Sequence, residues 1–201
     1  MGQRTRSCVG GLAVAALLAI GCTTTLTLPA DVADPVPVML LDHGYTPSLV
    51  LPPVGEEEDS AVRYAYGDWR WYAQGRQGVL DFVRALFWPS RGALGRRLLG
   101  GRVEVGSIHD AVAVTITHVH LLSVERAAVR NLAAHLDQLY QANQDALLDS
   151  TRVDLAFVPH PRSYTLLHNS NHVVAAWLRR LGVDVRGPVL LSRWRVIQHE
   201  P

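Results

Sequence analysis

The first 22 residues constrain this chain most. Arg4 and Arg6 precede "VGGLAVAALLAI", residues 9–20, an apolar run of twelve residues that ends at "GC" and gives way to "TTTLTLPAD". A run that short between those flanks reads as an export signal, not as a permanent membrane span. The only cysteines are Cys8 inside the signal and Cys22 at its end. Whatever folds beyond residue 22 therefore has no disulfide, no thiolate metal ligand and no thiol nucleophile. With 201 residues, 48% of them hydrophobic and 18% charged, the remainder is long enough for one domain with a sizeable core.

"LAIGC" resembles the lipobox of bacterial lipoproteins, with Ala19 where Leu is usual and Leu18 one residue earlier. The resemblance implies that residues 1–21 are removed as a signal peptide and that Cys22 carries lipid and holds the protein to a membrane. Thr23 after Cys22, where an Asp would mark inner-membrane retention, implies an outer-membrane anchor facing the periplasm. Residues 22–35, rich in Thr, Pro and Ala, are expected to be a flexible tether, and residues 36–201 a single domain. All 19 basic residues are Arg, and loss of Arg4 and Arg6 leaves 17 against 18 acidic residues. That balance gives no basis for nucleic-acid binding.

Along the domain, "VPVMLLDHGYTPSLVLPP" reads as strands 36–42 and 48–52 joined by a turn at Gly44 and Pro47. "GEEEDS" is a solvated acidic loop. "AVRYAYGDWRWYAQG" is β-prone and dense in aromatic residues, and "VLDFVRALFWPS" has helical spacing up to Pro89. "RGALGRRLLGGRVEVG" reads as a Gly- and Arg-rich loop. "AVAVTITHVHLL", 111–122, alternates cleanly and predicts a strand with Val112, Val114, Ile116, His118 and His120 on one face. A helix of about five turns follows, with Ser123 as its cap and Val124, Ala128, Leu132, Leu136 and Leu139 as its buried stripe. After a loop containing "VPHPRS", the spacing predicts a last helix over 171–181 that buries Val173, Val174, Trp177, Leu178 and Leu181 and stops at Gly182. The tail "GPVLLSRWRVI" supplies a final strand. This order implies an α+β fold with a small antiparallel sheet on two main helices. No Gly-rich loop sits at a strand-to-helix turn, so no nucleotide or other cofactor is expected.

"LLHNSNHVVAAWLRRLG" places Ser170 at the start of that last helix, among free backbone N–H groups at the positive end of its dipole. The site suits a nucleophile and equally a plain helix cap. Together with "HGYTPSLVLP" and "YGDWRWY", this segment resembles uncharacterised bacterial proteins of the permuted papain-like superfamily, the clan of NlpC-type cell-wall amidases. The resemblance implies a Cys at the late helix start and a His on the early strand. Those positions fall on Ser170 and Thr46, so both departures imply lost chemistry.

The implied protein binds a cell-wall peptide or an envelope partner, with Asp68, Trp69, Trp71, Thr46, Asn169, Asn171 and His172 along a groove. The other reading is a serine-dependent amide or ester hydrolase with Ser170 as nucleophile, His43 as base and helix N–H groups as oxyanion donors. A third places His118 and His120 with His43, His168 or His172 around a metal. No carboxylate completes that motif, and no metal is expected.

Overall fold

The computed structural model of the chain describes residues 23–54, 59–75, 88–101 and 103–197. It is a mixed α+β fold. Seven strands form one antiparallel sheet: β2 (Pro35–Asp42), β3 (Pro47–Leu51), β4 (Ala61–Asp68), β5 (Ser90–Leu99), β6 (His118–Glu125), β7 (Leu148–Ser150) and β8 (Leu155–Tyr164), in the order β6-β2-β3-β4-β5-β8-β7. A second, three-stranded sheet has the order β10-β1-β9, from β1 (Thr24–Thr27), β9 (Asp184–Arg186) and β10 (Trp194–Ile197). The helices are the single turn α1 (Ile108–Ala111), then α2 (Arg126–Gln141) and α3 (Ser170–Arg180). Among the described residues no helix is long and apolar enough to cross a membrane.

One face of the large sheet packs on α2 and α3. Val38 and Leu40 of β2, Leu49 and Leu51 of β3, and Tyr64 of β4 meet Leu132 and Leu136 of α2 and Val174 and Leu178 of α3, all nearly inaccessible. Strand side chains alternate between faces, so Met39, Leu41 and Val50 project the other way, into a second cluster with Ile108, Val112 and Ile116. Burying several such side chains, at roughly 1.5–3 kcal/mol each, is what fixes the hairpin register.

Several expectations need correction. Residues 23–35 are not simply a tether. Thr24–Thr27 form a strand paired on both sides, parallel to β10 and antiparallel to β9, with Leu26 fully buried. The expected strand 111–122 begins only at His118. The alternating Val112 and Ile116 bury on the back of the sheet without joining it. The Gly- and Arg-rich segment is, through Leu99, no loop but the interior strand β5, between β4 and β8. Its Gly95 is needed for close approach, since a Cβ there would lie 2.6 Å from the Phe157 ring.

"VPHPRS" lies within β8, not in a loop. β7 pairs only with Leu155–Phe157, so the later part of β8, where Pro159 and Pro161 stand, is free on that side and tolerates proline. Ser123 does not cap α2, because β6 continues through Glu125 and pairs Ser123 with Pro37. The buried stripe of α2 is Val129, Leu132, Leu136 and Tyr140, while Val124 belongs to β6. The sheet is also larger than expected. The predicted helix around residues 79–90 and the acidic loop fall largely outside the described residues.

Candidate functional site

The start of α3 is built by asparagine. Asn169, not Ser170, is the cap: its Oδ1 accepts the backbone N–H groups of Asn171 at 3.0 Å and His172 at 3.2 Å. The same oxygen lies 2.9 Å from His172 Nδ1. Asn171 Nδ2 donates to the backbone carbonyls of Tyr45 and Leu190, each at 3.3 Å. Thr46 follows Tyr45 in the chain, so Thr46 and Ser170 come from neighbouring elements. Ser170 is 1% exposed, and among the described residues its hydroxyl makes no hydrogen bond. Two polar atoms on residues close to it in the chain, Asn171 Oδ1 and His168 Nε2, are buried without partners among the described residues. Buried hydrogen-bonding groups are rarely left unpaired.

His43 is elsewhere. Its Nδ1 lies 2.8 Å from the Thr115 carbonyl and its Nε2 2.8 Å from Ser48 Oγ. A carbonyl only accepts, so Nδ1 carries the proton and Nε2 is the acceptor. Ser48 shares a sheet face with Val50, the face turned away from α3. Arg63 completes the cluster, donating from Nε to Ser48 Oγ at 3.0 Å and from Nη1 to the Val153 carbonyl at 3.2 Å, with Nη2 3.2 Å from His43 Nε2. Burial, then the Arg63 charge, push the imidazole down to about 4. Burial lowers Arg63 itself to about 10, opposed by Asp154. His43 is therefore neutral at ordinary pH and is bonded to a different serine from the one expected.

His43, Thr46, Ser48, Arg63, Tyr66 and Tyr72 border a cavity of about 90 Å³. A larger one, about 250 Å³, opens at the far end of the β2–β3 hairpin, lined by Pro35, Pro37, Met39, Val50, Pro52 and Val103 among others. None of the expected site residues reaches it.

The expected groove does not assemble as such. Asp68, 3% exposed, caps the π-helical turn Trp69–Ala73, its Oδ1 accepting Trp71 N–H at 2.7 Å while Oδ2 accepts from the Ser90 hydroxyl. Trp69 is buried with Ala93, Leu155 and Phe157, and the Arg91 guanidinium lies over its ring at 5.4 Å. Its place in a groove is thus corrected to a place in the core, because the turn rolls it onto β5 and β8. Trp71 and Thr46 are half-buried. His118 and His120 stack with ring centroids 6.3 Å apart, and among the described residues no three potential ligands gather to hold a metal. Cys22 lies outside the described residues.

Neither Ser48 nor Arg63 stands out in the sequence. The faint signal is alternation: each is a polar side chain on the face of a strand whose neighbours on that face are apolar.

No protein-family model, curated protein or solved structure matches this chain.

Proposed function

We propose that this protein is a lipid-anchored component of a bacterial envelope, held by Cys22 and facing the periplasm, whose permuted papain-like domain binds a cell-wall component or envelope partner without catalysis. The observation that carries the reading is the chemistry at the start of α3. Asn171 Oδ1 and His168 Nε2 are buried without partners among the described residues. Ser170, between them in the chain, adds a hydroxyl with no partner there, at the start of a helix whose next N–H groups are already capped by Asn169. Such unspent polar groups suit a polar ligand. Ser170 has no activating base, since both nitrogens of His43 are engaged by Thr115 and Ser48 and a serine hydroxyl without an aligned base does not attack. The papain-like assignment draws support from the position of that helix start, tied by Asn171 to the Tyr45 turn just before Thr46.

The test uses detergent-solubilised full-length protein. Wild type is expected to cosediment with purified cell-wall sacculi or to be retained by envelope membranes, Ser170→Ala and His168→Ala are expected to weaken capture severalfold, and no fluorophosphonate adduct is expected on any of the three. A fluorophosphonate adduct lost in Ser170→Ala overturns the non-catalytic reading. Capture by neither fraction, or capture indifferent to both substitutions, overturns the binding reading.

A further inference from the structure

Three turns meet at the end of the molecule where the described chain begins, and they are bolted together from inside. Asp42 Oδ1 accepts the Gly44 N–H at 2.8 Å and the Ser192 hydroxyl at 2.7 Å, joining the 43–46 turn to the 187–193 turn. Asn169 Nδ2 donates to the Leu166 carbonyl at 3.3 Å and reaches that of Leu190 at 3.5 Å. Asn171 Nδ2 bridges Tyr45 and Leu190. These buried side chains satisfy backbone groups of all three turns and leave apolar side chains pointing outward. Tyr45 is 84% exposed, Leu167 77%, Leu166 43%, Leu191 42% and Leu190 40%. Contiguous exposed apolar residues of this kind mark an interaction surface.

The described chain begins beside this patch. Thr24 N–H donates to the Arg193 carbonyl at 2.8 Å, and Val189 N–H to Thr24 Oγ1 at 3.2 Å. The Thr23 carbonyl packs against Gly187. Thr23 and Thr24, the two residues that follow Cys22 in the sequence, are thus held against the 187–193 turn. Val189 sits at φ 48°, a costly conformation for a β-branched residue, where its own side chain is buried and the following Leu190 and Leu191 face outward. Arg193, on the same turn, is exposed and suits anionic headgroups.

We propose that Tyr45, Leu166, Leu167, Leu190 and Leu191 form a bilayer-docking face, which seats the domain on a phospholipid surface beside its anchor. The inference rests on the anchoring reading above, and the occupant follows from where the chain leaves the fold. With β1 starting two residues after Cys22, the apolar end has no length of tether to hold it away from the lipid. The 250 Å³ cavity then faces away from the membrane. The eight residues of β2 separate the two ends by about 25 Å.

The absence of cysteine beyond residue 22 allows single Cys substitutions in the full-length, exported chain, each labelled with an environment-sensitive fluorophore after reconstitution in anionic phospholipid vesicles. Labels at Leu167→Cys, Leu190→Cys and Tyr45→Cys are expected to shift to the blue and to lose about half their emission to a shallow spin-labelled phospholipid, as groups seated ~5–10 Å into the interface do. A label at Val105→Cys, comparably exposed at 42% but near the opposite cavity, is expected to do neither. Flotation with the vesicles reports the anchor separately. Protein that floats while the three labels behave like Val105→Cys overturns the docking face and leaves the anchor standing. Protein that fails to float overturns the anchor reading and the docking face with it. A blue shift without quenching by lipid means that the retained segment 9–20 or another protein covers the patch, and also overturns the proposal.

Discussion

Two serines divide between them what a nucleophile needs. Ser170 has the position: it opens a helix at the positive end of its dipole, and two residues near it in the chain, His168 and Asn171, each carry a buried polar atom without a partner among the described residues. It has no base. Ser48 has the base, 2.8 Å away on His43, whose other nitrogen is oriented by a carbonyl, the arrangement that activates serine elsewhere. But Ser48, as buried as Ser170, accepts from Arg63, whose charge also disfavours the imidazolium that proton transfer would create. Proximity of a serine and a histidine is therefore not a catalytic signal by itself; the charge around the imidazole decides. One serine carries unused hydrogen-bonding capacity, which suits recognition. The other both donates and accepts within the fold, which suits stability.

The contrast can be broken most forcefully through pH. With its folded value pushed down to about 4 from 6.5, His43 is unprotonated in the folded state between those values while the unfolded chain binds the proton. Unfolding then takes up a proton, and stability is expected to fall as pH falls through that window, by about 3 kcal/mol in all, levelling off below about pH 4. Urea unfolding of wild type and His43→Gln across pH 4–7 isolates the His43 share. Equal slopes for the two would show that the imidazole is not held as described.

Arg63→Met tests the clamp. It strips Ser48, His43 and the Val153 carbonyl of a donor at once, and a loss of about 2 kcal/mol is expected. The pH dependence should shrink as well, since one of the two causes that depress His43 has gone. A variant as stable as wild type would mean that the buried charge costs as much as its bonds contribute.

The smallest effects compare the serines directly. Ser48→Ala leaves Arg63 Nε and His43 Nε2 without their shared partner and should cost about 1 kcal/mol. Ser170→Ala removes a hydroxyl with no partner among the described residues and should stay within about 0.5 kcal/mol of wild type. Unfolding midpoints at pH 7 measure both, and the opposite ranking would reverse the roles assigned to the two residues.

Periodicity carried much of the fold. The β2–β3 hairpin, the apolar stripe of α3 and its stop at Gly182, with φ at +84°, follow from local patterns that the backbone obeys wherever they occur. The failures share one cause. β5 looks like a loop because its glycines answer to rings on other strands. Residues 111–117 look like a strand because alternation records a buried face and does not reveal whether the backbone has a pairing partner. Residues 24–27 look like a tether because a short strand between two distant segments has no local signature.

The candidate site was legible only in part. The Asn-Ser-Asn cluster marks a helix start by capping chemistry alone, and the lack of cysteine beyond residue 22 excludes thiol chemistry without any coordinates. Which residue serves as the cap is settled within three residues, but which serine meets His43, that Trp69 turns into the core and that Asn171 reaches the Tyr45 turn depend on groups brought together from 5 to more than 100 residues away. By itself the sequence determined where elements start, which faces are apolar and which functional groups exist, because these are properties of neighbouring residues. Only the tertiary structure decided which of those groups meet, because a hydrogen bond depends on angles and distances that no local pattern encodes.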